Sequence, residues 1–427
     1  MDHRILTQVS LRRSGMGRRT FLRTVGGAIG LSALNFADLM TVHAEELRKR
    51  RMSCILLWMA GGPSQFETFD PKPDHANGAE TPTIETAIPG VRIAKGWEKI
   101  AAAMGDIALI RSMTNKEGNH QRATYQVHTG YLPTGTLKHP AFGSNVAAEL
   151  ADPSFELPHI VSIGGRTIGS GFLGMQYEPF AVQNADRPPQ NVEPAVTSER
   201  FRRRVGLIEA LEDKGFARNG GYDRVKDHQT LYRQTANMIL SPKMKVFDLD
   251  QESDAVQTAY GKTEFGRGCL LARRLVETGV PFVEVVRGGW DTHLENHERV
   301  GNLAKQVDPA MATLITDLKE RGLLDSTLVV WMGEFGRTPK MNPRGGRDHY
   351  PRCFNVAVAG AGIKGGQVVG ASSADGTSVK DRPVSVQDLL SSFCKALSIN
   401  PAKENMTPVG RPIKIVDGGE VVKELFA

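Results

Sequence analysis

The 427-residue chain is short of cysteine: it has four, at positions 54, 269, 353 and 394, and no CxxC pair. Such spacing argues against a zinc–thiolate site and against a disulfide scaffold. Cys54 and Cys353 sit in apolar runs and read as buried packing residues. Long apolar runs are also missing, and beyond residue 44 no stretch is long enough to read as a bilayer span. A charge excess is missing once the N-terminus is set aside. The formal net charge is +6, but the first 44 residues carry six Arg and two Asp, and the remainder holds 47 Lys+Arg against 45 Asp+Glu. So balanced a chain offers no electrostatic footprint for nucleic acid, and the basic pI is no argument for one. Internal repeats are absent too. With 40% hydrophobic and 23% charged residues the composition is that of a globular protein, long enough for one large α/β domain or two ordinary ones.

Residues 1–44 read as an export signal. Arg18-Arg19-Thr20-Phe21-Leu22 is similar to the twin-arginine motif, a weakly apolar run follows from Val25 to Ala37, and Val42-His43-Ala44 has small residues at cleavage spacing. The expected domain is therefore 45–427, placed in the periplasm or outside the cell. Within it, short apolar runs alternate with helical periodicity, which predicts an α/β sandwich with a mostly parallel sheet. Strands are expected at Ser53–Met59, from Ile107, at Leu157–Ile163, Pro281–Val286, Leu328–Met332 and Cys353–Ala359. Asn119 and Gly130 bracket a predicted helix from His120, and further helices are expected over 143–150, 264–279, 303–321 and 385–397. Residues 197–260 form a charged helical excursion, with Val205, Leu207, Ile208 and Leu211 on one stripe.

The chemistry gathers in two stretches. Val283–His297 ends in GGWDTHLENH, and Thr327–Tyr350 runs TLVVWMGEFGRTPKMNPRGGRDHY. Each is a buried strand followed by polar groups, which is how an α/β sheet presents a site at its carboxyl edge. Asp291, His293, His297, Glu334, Asp348 and His349 are the candidate metal ligands, suited to zinc, manganese or iron. His293 and His297, four apart, would share a face if a helix began there. Arg337 and Arg347 are candidates for holding an anionic substrate, with a local ion pair to Glu334 or Asp348 as the alternative. His120 and Arg122 fall in the first turn of a helix, where N–H groups suit an anion. Ser64, in the Gly61-Gly62-Pro63-Ser64 loop, is either a polar group of the site or part of a plain turn. His128, two turns along, reads as structural.

The segments GGPSQFETFDPKP, GNHQRATYQVHTGY, FGRGCLLARRLVE, GGWDTH, GEFGRTP and GRDHYP resemble the bacterial DUF 1501 family, exported proteins of unassigned activity. The resemblance runs from about residue 50 to the C-terminus. It implies the α/β/α sandwich of the alkaline phosphatase and sulfatase superfamily, with metal-dependent ester hydrolysis at the strand ends. In those terms Asp291 with His297 resembles a metal pair, and His349 the last histidine ligand. Glu334-Phe335 stands where Asp-His is usual. NHQRATYQVHTGYLP is similar to the nucleophile helix, with no Cys or Ser at its start and His120 near that place. MAGGPS occupies the position of the first-strand aspartate, and Gln65 stands where many members carry His.

The expectation is an exported hydrolase of phosphate or sulfate esters using one or two divalent ions, Zn2+ or Mn2+. Asp291, His293 or His297, Glu334, Asp348 and His349 would bind metal; Arg122, Arg337 or Arg347 would hold the ester oxygens; Ser64 or His120 would be the nucleophile. Its substrate would be a small-molecule or polysaccharide ester. The alternative is a non-catalytic binding or assembly protein on the same fold, taking a carbohydrate or a protein partner in the envelope.

Overall fold

Nine strands form one sheet, and its hydrogen bonding explains why distant polar segments meet. The computed structural model describes residues 52–426, except 153, 190, 191, 193 and 216–221. The expected export signal at 1–44 lies outside the described residues. In chain order the strands are β1 (Ser53–Met59), β2 (Ile107–Thr114), β3 (Ile160–Ile163), β4 (Phe180–Val182), β5 (Phe282–Arg287), β6 (Thr327–Met332), β7 (Phe354–Ala359), β8 (Gln367–Val369) and β9 (Val384–Ser385). They lie in the order β8-β2-β7-β6-β1-β5-β3-β4, with β9 also on β2. Pairing is parallel except at β7, which runs antiparallel to both β2 and β6.

β1 is buried at all seven positions, as a strand covered on both faces must be. Its side chains alternate between two cores. Ile55, Leu57 and Met59 pack with Ile100, Leu275 and Leu314, whereas Cys54, Leu56 and Trp58 pack with Val127, Val146 and Phe393. The first core is roofed by α1 (Glu98–Ala103), α7 (Glu264–Thr278) and α8 (Asn296–Glu320), the second by α2 (His120–Thr129), α3 (Phe142–Leu150) and α9 (Val386–Ala396). The result is a three-layer α/β/α sandwich. All four cysteines are free and buried. Among the described residues, no helix is long and apolar enough to cross a membrane.

One expectation needs correction. The helix expected from Leu303 begins at Asn296, so His293 lies upstream in a loop and shares no helical face with His297. That start is hard to read because Glu295, the residue before it, is in the left-handed region (φ 49°) and makes no side-chain cap bond. The charged excursion forms α4 (Ser198–Lys214), α5 (Tyr222–Leu240) and α6 (Asp254–Tyr260); on the α4 stripe Val205 and Ile208 are half-buried, whereas Leu207 and Leu211 are each 61% exposed. α4 and α5 meet through polar contacts, with Gln229 donating to Asp213 at 2.8 Å and Arg233 to Glu209 at 3.1 Å.

Candidate metal centre

β6, β1 and β5 are parallel neighbours, so the loops leaving their carboxyl ends are adjacent. The β1 loop carries Gly61-Gly62, the β5 loop Asp291 and His293, and the β6 loop Glu334 and Arg337. Gly61 has φ 119°, and a Cβ there would stand 2.5 Å from the Asp291 backbone nitrogen. Only glycine permits that approach. Its own N–H donates to both Glu334 carboxylate oxygens, at 3.0 and 3.2 Å. The Gly-Gly pair thus serves the meeting of three backbone segments. His349 returns to the same place because His349–Tyr350 pairs antiparallel with Gly336–Arg337, just beyond β6. His120 arrives from β2 at the head of α2, where the Asn119 side chain accepts the Arg122 N–H at 3.2 Å.

The four pieces converge on one carboxylate oxygen. Asp291 Oδ1 lies 3.3 Å from His120 Nε2, 3.0 Å from His293 Nε2, 3.3 Å from His349 Nε2 and 2.6 Å from Arg337 Nη2. Donor atoms of His120, Asp291 and His349 all lie within 4.8 Å of one another. Every imidazole is held from behind by an acceptor on Nδ1: His120 by Glu334 Oε1 at 2.6 Å, His293 by Asp348 Oδ1 at 2.7 Å, and His349 by the Gly118 carbonyl at 2.8 Å. A carbonyl or an ionised carboxylate can only accept, so each neutral ring carries its proton on Nδ1 and a lone pair on Nε2. Three such lone pairs and a carboxylate then face one another. His293 Nε2 and His349 Nε2 are 3.0 Å apart, and His120 Nε2 has no hydrogen-bond partner. A cation would resolve that arrangement, and carboxylate or carbonyl support behind ligating imidazoles is how proteins fix them for a metal. Two imidazoles and a carboxylate, with a third imidazole beside them, form a donor set that zinc or manganese accepts.

The electrostatics agree with the geometry. Burial works against the Asp291 charge, but the hydrogen bond and charge of Arg337, helped by His120 and His293, bring its pKa down to about 2. The hydrogen bond to Glu334 raises His120, whereas burial lowers His349 and keeps it neutral. Phe335, fully buried, lies 4.9 Å from the His120 ring and 4.8 Å from that of His349, forming an apolar wall.

Several expected roles change. Glu334 and Asp348 stand behind imidazoles, on their Nδ1 side; Glu334 is fully engaged by Gly61 and His120. His297 is outside the cluster, its nearest carboxylate being Glu67 at 3.9 Å. His120, expected as a nucleophile, lies with Asp291 and His349 in the cluster of candidate metal donors. Ser64 is fully buried, closed off from any substrate. Arg122 is paired with Glu117 at 2.7 and 2.9 Å. Arg347 is buried with all five N–H groups occupied: Glu67 takes two, at 3.1 and 2.8 Å, and the carbonyls of Thr338, Pro339 and Asn77 the rest. Arg337, also buried, donates to Gly62 O, Arg347 O, Gly61 O and Asp291, so it anchors a ligand. Gln65 clamps the Arg337 backbone, accepting its N–H at 2.8 Å and donating to its carbonyl at 2.9 Å. The Gly118 carbonyl escaped the sequence reading, because a backbone acceptor leaves no residue-type signal.

Residues 51–426 match the family described as "Protein of unknown function (DUF1501)". A search of curated proteins finds no match. Among solved structures, the chain is similar to a sulfatase from Pseudoalteromonas sp., at 13% identity and TM-score 0.39, covering 84% of this chain and 70% of that one. It is also similar to a phosphonate monoester hydrolase from Silicibacter pomeroyi, at 12% identity and TM-score 0.33, over 88% and 76%. A third similar structure is the lipoteichoic acid synthase LtaP of Listeria monocytogenes, at 8% identity and TM-score 0.36, over 87% and 76%.

Proposed function

The chain belongs to the DUF1501 family, and from that premise we propose that it is an exported, metal-dependent hydrolase of phosphate or sulfate esters. One observation carries this reading: three imidazoles, each held through Nδ1 by an acceptor, direct bare Nε2 atoms at Asp291. His120, Asp291 and His349 would hold a divalent ion, Zn2+ or Mn2+. When bound, such an ion supplies Lewis acidity to an ester oxygen and lowers the pKa of water.

The remaining chemistry belongs to the chain. Glu334 and Gly118 keep the His120 and His349 lone pairs aimed, and Arg337 keeps Asp291 ionised across the working pH range. Phe335 screens one side from solvent. His293 stands 3.0 Å from both Asp291 Oδ1 and His349 Nε2 and is backed by Asp348, the pairing expected of a general base. In this reading water is the nucleophile. Its oxygen bonds to phosphorus or sulfur, its proton passes to His293 Nε2, the ester P–O or S–O bond breaks, and the proton returns to the leaving alcohol.

The test uses the full chain: metal content after purification, and hydrolysis of p-nitrophenyl phosphate and p-nitrophenyl sulfate. The expected result is bound Zn2+ or Mn2+, activity on one ester, and loss of both in Asp291→Asn. A preparation that takes up neither ion and cleaves neither ester overturns the proposal. A second reading, a non-catalytic binding protein on this fold, draws support from the committed arginines: Arg122, Arg337 and Arg347 are all engaged within the protein. Retained metal binding without hydrolysis favours it. Export is tested separately, since Arg18→Lys with Arg19→Lys should leave the protein in the cytoplasm.

A further inference from the structure

At the far end of α2 from His120, a cleft of about 510 Å3 opens to solvent, a size typical of small-ligand sites. None of its lining residues belongs to the histidine–aspartate cluster. α2 has ten residues and is therefore about 15 Å long, which separates the cleft from the cluster. Tyr131, directly after the Gly130 cap, stacks on the His139 ring at 4.1 Å with 4° between planes, and its hydroxyl donates to the Lys414 carbonyl at 2.7 Å. Both rings line the cleft, with Gln387, Glu404, Arg411 and Asp417 around them.

The polar groups are held but not used up. Gln387 donates through Nε2 to the Gly130 carbonyl at 2.9 Å and keeps its Oε1 as an acceptor. Among the described residues, no ion pair engages the exposed Arg411 guanidinium or the Glu404 carboxylate. Different ligands can be weighed against this lining. An apolar molecule would strip water from charged groups and return no hydrogen bonds. A small anion would meet Arg411 and Lys414, the latter 3.9 Å from Asp417, but would be opposed by Glu404 and would leave the aromatic pair without a partner. A sugar ring fits both properties: one face is apolar C–H that packs on an aromatic ring, and its edge is a row of hydroxyls that donate and accept.

We propose that this cleft binds a saccharide, one or two pyranose units of a glycan, with a ring against Tyr131 and its hydroxyls bonded to Arg411, Glu404 and Gln387. The site is independent of hydrolysis at the cluster.

The test is isothermal titration of the full chain with cellohexaose, chitohexaose and a heparin-derived hexasaccharide. At least one should bind. Tyr131→Ala and Arg411→Gln should each weaken it by about tenfold or more, while Tyr131→Phe, which keeps the ring, stays within about twofold. Asp291→Asn should bind as the unaltered chain does. Circular dichroism of each variant establishes that it is folded, and the exposed Arg411 gives a second readout if Tyr131→Ala is not. The proposal is overturned if none of the three glycans binds, if folded Arg411→Gln binds as before, or if Asp291→Asn abolishes binding and so moves the ligand to the cluster.

Discussion

Glu334 receives the Gly61 N–H on both oxygens and holds His120 Nδ1 at 2.6 Å. Its work is to fix a tautomer. Glu334→Gln should therefore lower Zn2+ affinity by about 10–100-fold without abolishing it, read by competition with a chromophoric chelator; no change would detach Glu334 from the site. The same contact sets a pH dependence. His120 is raised above its usual 6.5 by the Glu334 hydrogen bond, whereas burial lowers His349. As pH falls, protonation of His120, whose pKa is raised, thus competes with a cation before that of His349, whose pKa is lowered. Affinity should decline as His120 protonates, and in Glu334→Gln the decline should start at lower pH. In the metal-free chain the sign reverses: the raised His120 pKa adds stability that is fully present below 6.5 and lost as pH rises through the raised value. The arginines separate as clearly. Arg347→Ala leaves buried Glu67 unpaired and should cost about 3–5 kcal/mol in denaturant unfolding. Arg122→Ala, on the surface with Glu117, should leave the denaturant midpoint unchanged.

Among the elements, α2 was the most legible and carries the most consequence. Asn119 and Gly130 announce its ends in the sequence, and both cap it, Gly130 with φ 79°. The cap also places His120 at the first helical position, next to Glu334. Asn119→Ala should cost about 1 kcal/mol of stability and weaken Zn2+ binding, while Asn119→Ser, another good cap, should restore both. Thermal unfolding and the chelator competition read the two effects. The start of α8 was less legible, because Glu295 gives no capping signal. In α4 the apolar spacing is real, but helical spacing says only that a face exists, and here Leu207 and Leu211 remain exposed.

For the whole molecule, the sheet order explains why one ion would stabilise the chain broadly. The candidate ligands are far apart in sequence, at positions 120, 291 and 349, and follow different strands. A ligand that binds only when β2, β5 and β6 are in register adds its binding energy to folding. Zn2+ at about 100 times its Kd should stabilise the protein by about 2.7 kcal/mol and raise Tm, and EDTA should reverse the shift. A Tm unaffected by either would mean that the cluster does not bind the ion in the folded chain.

By itself the sequence determined six of the nine strands, the caps of α2, the balanced charge of the domain and the set of residues from which a site would be drawn. Those properties are local: a run of apolar side chains, a helical periodicity, a capping Asn and Gly. The division of labour within the set was decided only by tertiary structure. Asp291, His120 and His349 face one another, Glu334 and Asp348 stand behind, and His297 and Arg347 turn to Glu67. Which ring nitrogen is bare, and which carboxylate is already taken, depends on the register of parallel neighbours and on a carbonyl at Gly118. No spacing along the chain encodes either.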